Sequence, residues 1–383
     1  MGADPRGILR HVEALSFPRP TGSPAEAEAA RYVRERLGEA GVRHWEETFS
    51  AVADMNWFPI SAASFSVLGG VLFRWAPWAG ALVAALAPLL LWYALTRADS
   101  PLRFLLPRRR SRNVIARIPA RRGREGAVAL LAHLDTNRVR EAWTAAGVTA
   151  IRWGTMGTLV AYGLEAILLL SGALTGIRAF HYGAAPLALY ALATIAFLSV
   201  EFRNPHSPGA NDDASAVAVA LEFAARLIRE PLERTEVWVC FTGAEEVDHR
   251  GAKELLRRHP ELRGAWFVVL EGVGAGELTL VAREGVIFRY SPDPELLRWA
   301  EEAAAARPEL GVGTGEMTIV CETQTLRRLG CRALTLAGRD PGTGTLPRWH
   351  SPDDLPRYIS PENLSSALEY LGALCRSLDA RGV

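Results

Sequence analysis

The stretch Val237-Trp-Val-Cys-Phe-Thr-Gly-Ala-Glu-Glu246 joins an apolar run to two adjacent carboxylates. A run of five apolar residues that ends near a glycine is typical of a buried β-strand. Glu245 and Glu246 then lie just beyond the carboxyl end of that strand, which is where open α/β sheets build their functional sites. This stretch therefore predicts a sheet with an acidic site at one edge.

Four other clusters of metal-ligating residues occur along the chain. They are His133-Leu-Asp135, Asn211-Asp-Asp213, Glu271 after the apolar run Phe267-Val-Val-Leu270, and His350-Ser-Pro-Asp-Asp354. A hydrolytic site with two metal ions needs histidine and carboxylate ligands, one carboxylate that bridges the ions, and a free carboxylate as base. The five clusters together contain these groups, so the sequence predicts a two-metal hydrolytic site.

Outside two long apolar stretches, predicted strands and helices alternate along the chain. The strands are 44–50, 113–118, 127–132, 236–241, 265–270 and 333–336, and the helices are 24–40, 214–229, 251–259, 294–306 and 361–378. This alternation predicts a three-layer α/β/α sandwich with a mixed, mostly parallel sheet. We expect a single domain over residues 1–383, interrupted by the apolar stretches. The short turn 119–126 also predicts that strands 113–118 and 127–132 pair as an antiparallel hairpin.

Composition excludes some classes of partner. The net charge is +1, from 43 basic and 42 acidic residues, so no overall field favours binding to nucleic acid. The four cysteines show no Cys-x-x-Cys spacing, which predicts reduced thiols. The amino terminus has no basic segment followed by an apolar one, so we expect no secretory signal and a chain that starts in the cytoplasm.

The two apolar stretches, at about 57–96 and 154–200, are each long enough for a helical hairpin. Residues 75–95 and 154–176 reach the length of about 20 residues that a membrane-spanning helix needs, while 57–73 and 183–200 are marginal. Arginines concentrate beside the polar sequence and are scarce at the hairpin tips. The positive-inside rule then predicts a multi-pass protein in a lipid bilayer, with its polar domain in the cytoplasm.

The apolar stretches have a second interpretation. They also fit buried helices of a large soluble core or of a dimer interface. The charged residue Glu165 inside the segment 154–176 favours this second interpretation. Glycine pairs such as Gly69-Gly70 permit a homodimer through helix packing.

Several motifs of the polar chain resemble the di-zinc aminopeptidase family, which also includes glutamate carboxypeptidase and glutaminyl cyclase. The resembling stretches are Arg19-Pro-Thr-Gly-Ser23, Asn113-Val-Ile-Ala116, Ala132-His-Leu-Asp135, Ser207-Pro-Gly-Ala-Asn-Asp-Asp-Ala-Ser215, Thr242-Gly-Ala-Glu-Glu246 and Trp349-His-Ser-Pro-Asp353. They cover essentially the whole polar chain. The resemblance implies the zinc exopeptidase fold and two Zn²⁺ ions.

The resemblance also implies a role for each motif residue. His133 and Glu271 would be ligands of one zinc ion, and Glu246 and His350 would be ligands of the other. Asp212 would bridge the two ions. Glu245 would then be the catalytic base. Asp135 would hold His133 and fix its tautomer. The family further implies a cis peptide bond between Asp212 and Asp213.

Two stretches depart from the family pattern. Glu271 stands where these aminopeptidases usually have aspartate, and Val320-Cys-Glu-Thr323 replaces a Ser/Thr-Asp-His run, so we expect an atypical wall on the substrate side. Among the other polar residues, His181, His206 and His249 match no ligand position and are interpreted as bystanders. Asp353 and Asp354 are predicted to cap the helix or loop after His350.

The sequence favours a membrane-anchored zinc aminopeptidase that hydrolyses a peptide substrate. Because both hairpins are expected to leave from the sheet edge that carries the site, the peptide is expected to be membrane-associated. Two alternatives remain: a glutaminyl cyclase-like acyltransferase, and a non-catalytic metal-binding scaffold in a membrane complex. Intact ligands argue against both.

Overall fold

The computed structural model describes residues 5–96, 99–140 and 144–382. Its contacts divide the chain into two units. We call residues 1–51, 109–148 and 205–383 the α/β unit, and residues 52–108 and 149–204 the helical unit.

The α/β unit is built around one sheet. Its strands are β1 (His44–Val52), β2 (Arg108–Ile118), β3 (Gly126–His133), β4 (Thr235–Thr242), β5 (Trp266–Glu271), β6 (Glu277–Arg283), β7 (Gly313–Glu316) and β8 (Arg332–Arg339). Its helices are α1 (Pro5–Leu15), α2 (Pro24–Glu39), α7 (Ala216–Arg229), α8 (Arg250–Arg258), α9 (Pro294–Ala305), α10 (Glu322–Arg328) and α11 (Pro361–Ala380). The elements of the helical unit are α3 (Trp57–Leu72), α4 (Pro77–Thr96), α6 (Arg178–Glu201) and most of α5 (Ala145–Thr175).

The sheet is mixed and mostly parallel, as predicted. Its strand order is β1-β2-β4-β3-β5-β8-β6-β7. Strands β4, β3, β5 and β8 run parallel to one another, whereas β2 and β6 run antiparallel to their partners β4 and β8. The central strands β3, β4 and β5 are buried along almost their whole length, which explains their continuous apolar sequences.

The predicted β2–β3 hairpin is wrong, because β4 lies between these two strands. The turn that follows β2 bonds to the segment before β4 instead: the Arg121 and Arg122 amides donate to the carbonyls of Leu232 and Glu233 at 2.9 and 2.8 Å. These bonds hold the turn after β2 against the segment that leads into β4. Because β2 is antiparallel to β4, β2 still begins at the edge where β3 and β4 end.

Alternate residues of the central strands face two different helical layers. On one face, Val237 and Val239 of β4 pack in a core with residues of α1, α2, α7, α9 and α11. On the other face, Trp238 and Cys240 pack with residues of α8 and α10. This arrangement is the predicted three-layer sandwich. All four cysteines are buried free thiols.

Three helices of the helical unit are long and apolar enough to cross a membrane, as judged by length and composition. They are Pro77–Thr96, Ala146–Thr175 and Arg178–Glu201, whereas the apolar helix Trp57–Leu72 is shorter. Small residues let α3 and α4 approach closely: a Cβ on Gly69 would lie 2.5 Å from the Ala84 nitrogen. Large apolar side chains such as Leu89 and Phe197 remain exposed, at 62% and 66%.

Candidate metal centre

The predicted ligands come together at the carboxyl edge of the sheet. His133 is the last residue of β3, Glu271 is the last residue of β5, and Glu246 lies in the loop after β4. Asp212 lies in a kinked segment, Ala210–Ser215, just before α7, where its own backbone is not helical. His350 lies in the loop after β8. Because β3, β4 and β5 are parallel neighbours, their ends meet at one place.

Asp212 lies between the two histidines. Its Oδ1 atom is 3.1 Å from His133 Nε2, and its Oδ2 atom is 3.2 Å from His350 Nε2. His350 Nε2 is also 3.2 Å from Glu246 Oε1, and His133 Nε2 is 3.7 Å from Glu271 Oε1. The central carboxylate therefore has one oxygen directed to each half of the site, as a bridging ligand requires.

Unsatisfied polar atoms show that this donor set fits metal ions. Among the described residues, four ligand side chains have buried atoms that make no hydrogen bond: His133 Nε2, Asp212 Oδ1 and Oδ2, Glu246 Oε1 and Glu271 Oε2. Ligand atoms of His133, Asp212 and Glu246 lie within 4.8 Å of one another. Buried polar atoms without partners are costly. Imidazole nitrogens and carboxylate oxygens in such a cluster are the ligand set that zinc prefers.

The electrostatics of the site are dominated by carboxylates. Burial lowers the pKa of His350, but Glu246 and Asp212 outweigh it and raise that pKa to about 9. Burial likewise lowers the pKa of His133, yet Asp213 and Asp212 raise it well above the usual value. In the protein without metal, the surrounding carboxylates therefore favour the protonated form of both histidines. A divalent cation would replace these protons and balance the same negative charge.

The segment that carries Asp212 is held by Asp354. The Asp354 carboxylate accepts hydrogen bonds from the backbone amides of Asn211 at 2.7 Å and Asp212 at 3.0 Å. The prediction that Asp354 caps the helix or loop after His350 is therefore wrong. Its neighbour Asp353 is largely exposed, and its Oδ1 atom lies 3.7 Å from Nη2 of Arg357. The cis peptide bond between Asp212 and Asp213 is present, as the resemblance implied.

Asp213 joins two strand ends and was not assigned a role from the sequence. Its carboxylate accepts from the backbone amides of His133 at 3.0 Å and Gly272 at 2.9 Å. It therefore fixes the spacing between the ends of β3 and β5, which carry the ligands His133 and Glu271. Its position directly after Asp212 was the only sequence signal, because both contacts come from residues at least 59 positions away.

Asp135 acts differently from the expectation. The Asp135 carboxylate lies 3.9 Å from His133 Nδ1, which instead contacts the Asp135 main-chain oxygen at 3.0 Å. The carboxylate accepts from the amides of Glu245 at 2.9 Å and Glu246 at 3.3 Å, and from the Thr21 hydroxyl at 2.6 Å. Asp135 thus orients His133 through its carbonyl and the Glu245–Glu246 loop through its side chain.

Arg19, in the motif Arg19–Ser23, stabilises two loops next to the site. The buried Arg19 guanidinium donates to the carbonyls of Leu134 at 2.7 Å and Pro208 at 3.1 Å. These carbonyls belong to the loop after His133 and the loop before Asp212, so one cation fixes both.

Glu245, the predicted base, is 4% exposed. Burial raises the pKa of its carboxyl well above the usual value, and the carboxylates of Glu271 and Glu246 raise it further. Its Oε1 atom lies 3.3 Å from Nε2 of His249, a residue that matches no ligand position in the sequence and was predicted to be a bystander.

The atypical stretch Val320–Thr323 begins α10 and carries a buried polar cluster. Glu284 accepts from the hydroxyl of Thr335 at 2.9 Å and from the Cys321 thiol at 3.1 Å. Burial and, to a smaller extent, nearby Glu271 raise the pKa of Glu322 to about 8. These carboxyl groups add to the acidic character of the region around the ligands.

The mixed, mostly parallel sheet between two helical layers is the α/β fold of the zinc exopeptidases. Residues 195–374 match the family model described as peptidase family M28, and this span contains Asp212, Glu245, Glu246, Glu271 and His350. The matched segment, which is slightly less than half of the chain, belongs to peptidase family M28. Among curated proteins, none matches the chain in sequence.

Solved structures with the same fold include both aminopeptidases and cyclases. An Acidobacteriales bacterium glutaminyl cyclase is 15% identical, with 100% of this chain and 96% of that chain covered and a TM-score of 0.59. The zinc aminopeptidase BSAP from Bacillus subtilis is 14% identical, with 97% and 94% covered and a TM-score of 0.57. An Aneurinibacillus sp. strain AM-1 aminopeptidase is 16% identical, with 97% and 93% covered and a TM-score of 0.55. At these identities the likeness shows the fold.

Proposed function

We propose that this protein is a membrane-anchored, zinc-dependent aminopeptidase that removes residues from the amino terminus of peptides. The observation that carries the proposal is the placement of Asp212 between His133 and His350, with the Glu245–Glu246 pair beside it. His133 and Glu271 would hold one Zn²⁺, Glu246 and His350 the other, and Asp212 would touch both. When bound, zinc polarises the scissile carbonyl and makes a water molecule more acidic.

Glu245 is the proposed base of this reaction. It accepts a proton from the attacking water and returns that proton to the leaving amine, as a general base and then a general acid. Burial raises the pKa of its carboxyl in the protein without metal, and a carboxyl whose pKa is raised is a better proton donor to the leaving amine than an ordinary one. Asp135 orients its loop through the backbone amides of Glu245 and Glu246.

A glutaminyl cyclase activity is the second candidate, and the glutaminyl cyclase of an Acidobacteriales bacterium among the similar structures favours it. A cyclase converts an N-terminal glutamine into pyroglutamate with loss of ammonia. An aminopeptidase instead releases the free N-terminal residue and shortens the peptide. The two reactions are therefore distinguished by the mass of their products.

The test uses detergent-purified full-length protein loaded with zinc and a library of peptides with free or blocked amino termini, including N-terminal glutamine peptides. We expect stepwise loss of N-terminal residues from free-amine peptides, and no turnover by Glu245→Gln. Loss of ammonia without shortening would establish the cyclase. If wild type and Glu245→Gln give identical product patterns, both enzymatic activities are overturned and a non-catalytic metal-binding scaffold is favoured. Metal analysis should give two zinc ions per chain.

The helical unit is the proposed membrane anchor. Its three long apolar helices and the exposed side chains of Leu89 and Phe197 support burial in lipid. The arginines around residues 103–112 support a cytoplasmic position for the α/β unit. Extraction of membranes with carbonate, and labelling of single cysteines at residues 75 and 178 from each side, test the anchor and its orientation. Release by carbonate would refute anchoring.

The substrate is proposed to be a membrane-associated peptide. β2 begins and β3 ends at the sheet edge that carries the site, and each of these strand ends adjoins an apolar insertion in the chain order. Cleavage of one peptide in soluble and lipidated forms tests this, with wild-type protein in liposomes. Equal kcat/KM values for the two forms would overturn it.

A further inference from the structure

His249 sits in a tight turn that returns to the Glu245–Glu246 pair. Asp248 and His249 both adopt left-handed backbone conformations, with φ of 67° and 46°. The His249 amide donates to the Glu245 carbonyl at 2.9 Å, and the Arg250 amide donates to the Ala244 carbonyl at 2.8 Å. Two adjacent left-handed residues that are not glycine are unfavourable unless their surroundings hold them, and such strain gathers at functional sites.

The imidazole of His249 bridges Glu245 and α10. Its Nε2 atom lies 3.3 Å from Glu245 Oε1, and its Nδ1 atom lies 2.8 Å from the hydroxyl oxygen of Thr325. His249 is 8% exposed and Thr325 is 2% exposed, so water does not compete for these contacts. Thr325 thus sets the position of the ring, and the ring contacts the proposed base.

The protonation of His249 follows from its surroundings. Burial lowers the pKa of His249 well below the usual value, and the cations Lys253 and Arg328 lower it further. The ring is therefore neutral and carries one N–H. The Thr325 hydroxyl can donate to Nδ1, which leaves Nε2 as the nitrogen that carries hydrogen. That nitrogen faces Glu245 Oε1 at 3.3 Å, a buried oxygen that accepts no other hydrogen bond among the described residues.

We propose that His249 is a positioning residue for the base, which holds Glu245 Oε1 through its Nε2–H and leaves the second carboxylate oxygen to receive the proton. The inference rests on the proposed hydrolysis. A neutral donor suits this role, because a cation in the same place would form an ion pair with Glu245 and weaken it as a base. Fixing the plane of the carboxylate also keeps the base aligned with the attacking water.

The kinetic test compares His249→Gln with His249→Met in zinc-loaded full-length protein. A glutamine amide can place an N–H near the position of Nε2, whereas methionine of similar size cannot donate. We expect His249→Met to lose kcat by about 10- to 100-fold with unchanged KM and zinc content, and His249→Gln to stay within about threefold of wild type. Thr325→Val should also lower kcat, because valine cannot hydrogen-bond to His249 Nδ1 and the imidazole ring is then no longer held in place.

Equal kcat for His249→Met and wild type would overturn the inference. The inference would also be overturned if His249→Gln and His249→Met lost kcat equally, or if the substitutions changed KM alone.

A second measurement does not depend on activity. The chain has eight histidines, so selective ¹⁵N-histidine labelling gives a countable NMR spectrum of the detergent-solubilised protein. We expect His249 as a neutral ring with hydrogen on Nε2, and a change in that resonance in Glu245→Ala. An imidazolium, a ring with hydrogen on Nδ1, or an unchanged resonance would refute the contact. If wild type and Glu245→Gln hydrolyse nothing, the proposed function fails, while the spectrum still decides the role of His249.

Discussion

Replacing Asp354 by asparagine should weaken zinc binding without touching a ligand. The carboxylate accepts two backbone hydrogen bonds, from Asn211 and Asp212, at 2.7 and 3.0 Å. Asparagine offers one acceptor oxygen and turns an amide N–H₂ group toward the other backbone N–H. One buried donor then lacks an acceptor, which costs about 1–3 kcal/mol.

This cost should be seen in metal affinity. In the protein without metal, the segment around Asp212 can relax to relieve the unsatisfied amide, and zinc binding must restore its position. We therefore expect the zinc affinity of Asp354→Asn to fall by about 10- to 100-fold, the range found when groups that orient metal ligands are removed.

The affinity is measured by competition with a chromophoric chelator at pH 8. Burial and nearby Asp212 raise the pKa of Asp354 to about 7, so at pH 8 most of the wild-type carboxyl is charged. The matched control is Asp353→Asn, which makes the same change of charge one residue away at an exposed position. Zinc affinity of Asp354→Asn within threefold of the control would refute the reasoning.

Two further predictions concern buried charge. Burial raises the pKa of Glu284 to about 7 from 4.5, so its favourable contribution to stability is complete below pH 4.5 and is lost as the pH rises through 7. The free energy of unfolding of Glu284→Gln, taken relative to that of wild type, should therefore increase by about 3 kcal/mol between pH 4.5 and 8. A difference between the two proteins that does not change with pH in denaturant titrations would contradict this. Chelation should lower the unfolding temperature of wild type and of Glu245→Gln, because the base is not a ligand, but should leave Asp212→Asn unchanged. An equal response of all three proteins in calorimetry would count against the assigned ligands.

The apolar and polar pattern was sufficient to predict the sandwich. Continuous apolar runs at β3, β4 and β5 predicted buried parallel strands, and the structure buries them between two layers of helices. Strand order was not predictable in the same way, because the pattern does not say which neighbour a buried strand takes. The position of β4 beside β2 is accompanied by backbone contacts of Arg121 and Arg122 with residues more than 100 positions away. β7 was missed because Gly313-Thr-Gly-Glu316 has no apolar alternation.

The residues proposed as metal ligands could be selected from the sequence because zinc chemistry accepts few residue types, and these types followed predicted strand ends. Their supporting residues were not recognisable, because an aspartate or histidine acquires such a role only through partners brought near by folding. Asp354 is 142 residues from Asp212, and Thr325 is 76 residues from His249. Local sequence thus specified the chemical groups and the strands that carry them, whereas long-range packing alone decided which side chains hold those groups in place.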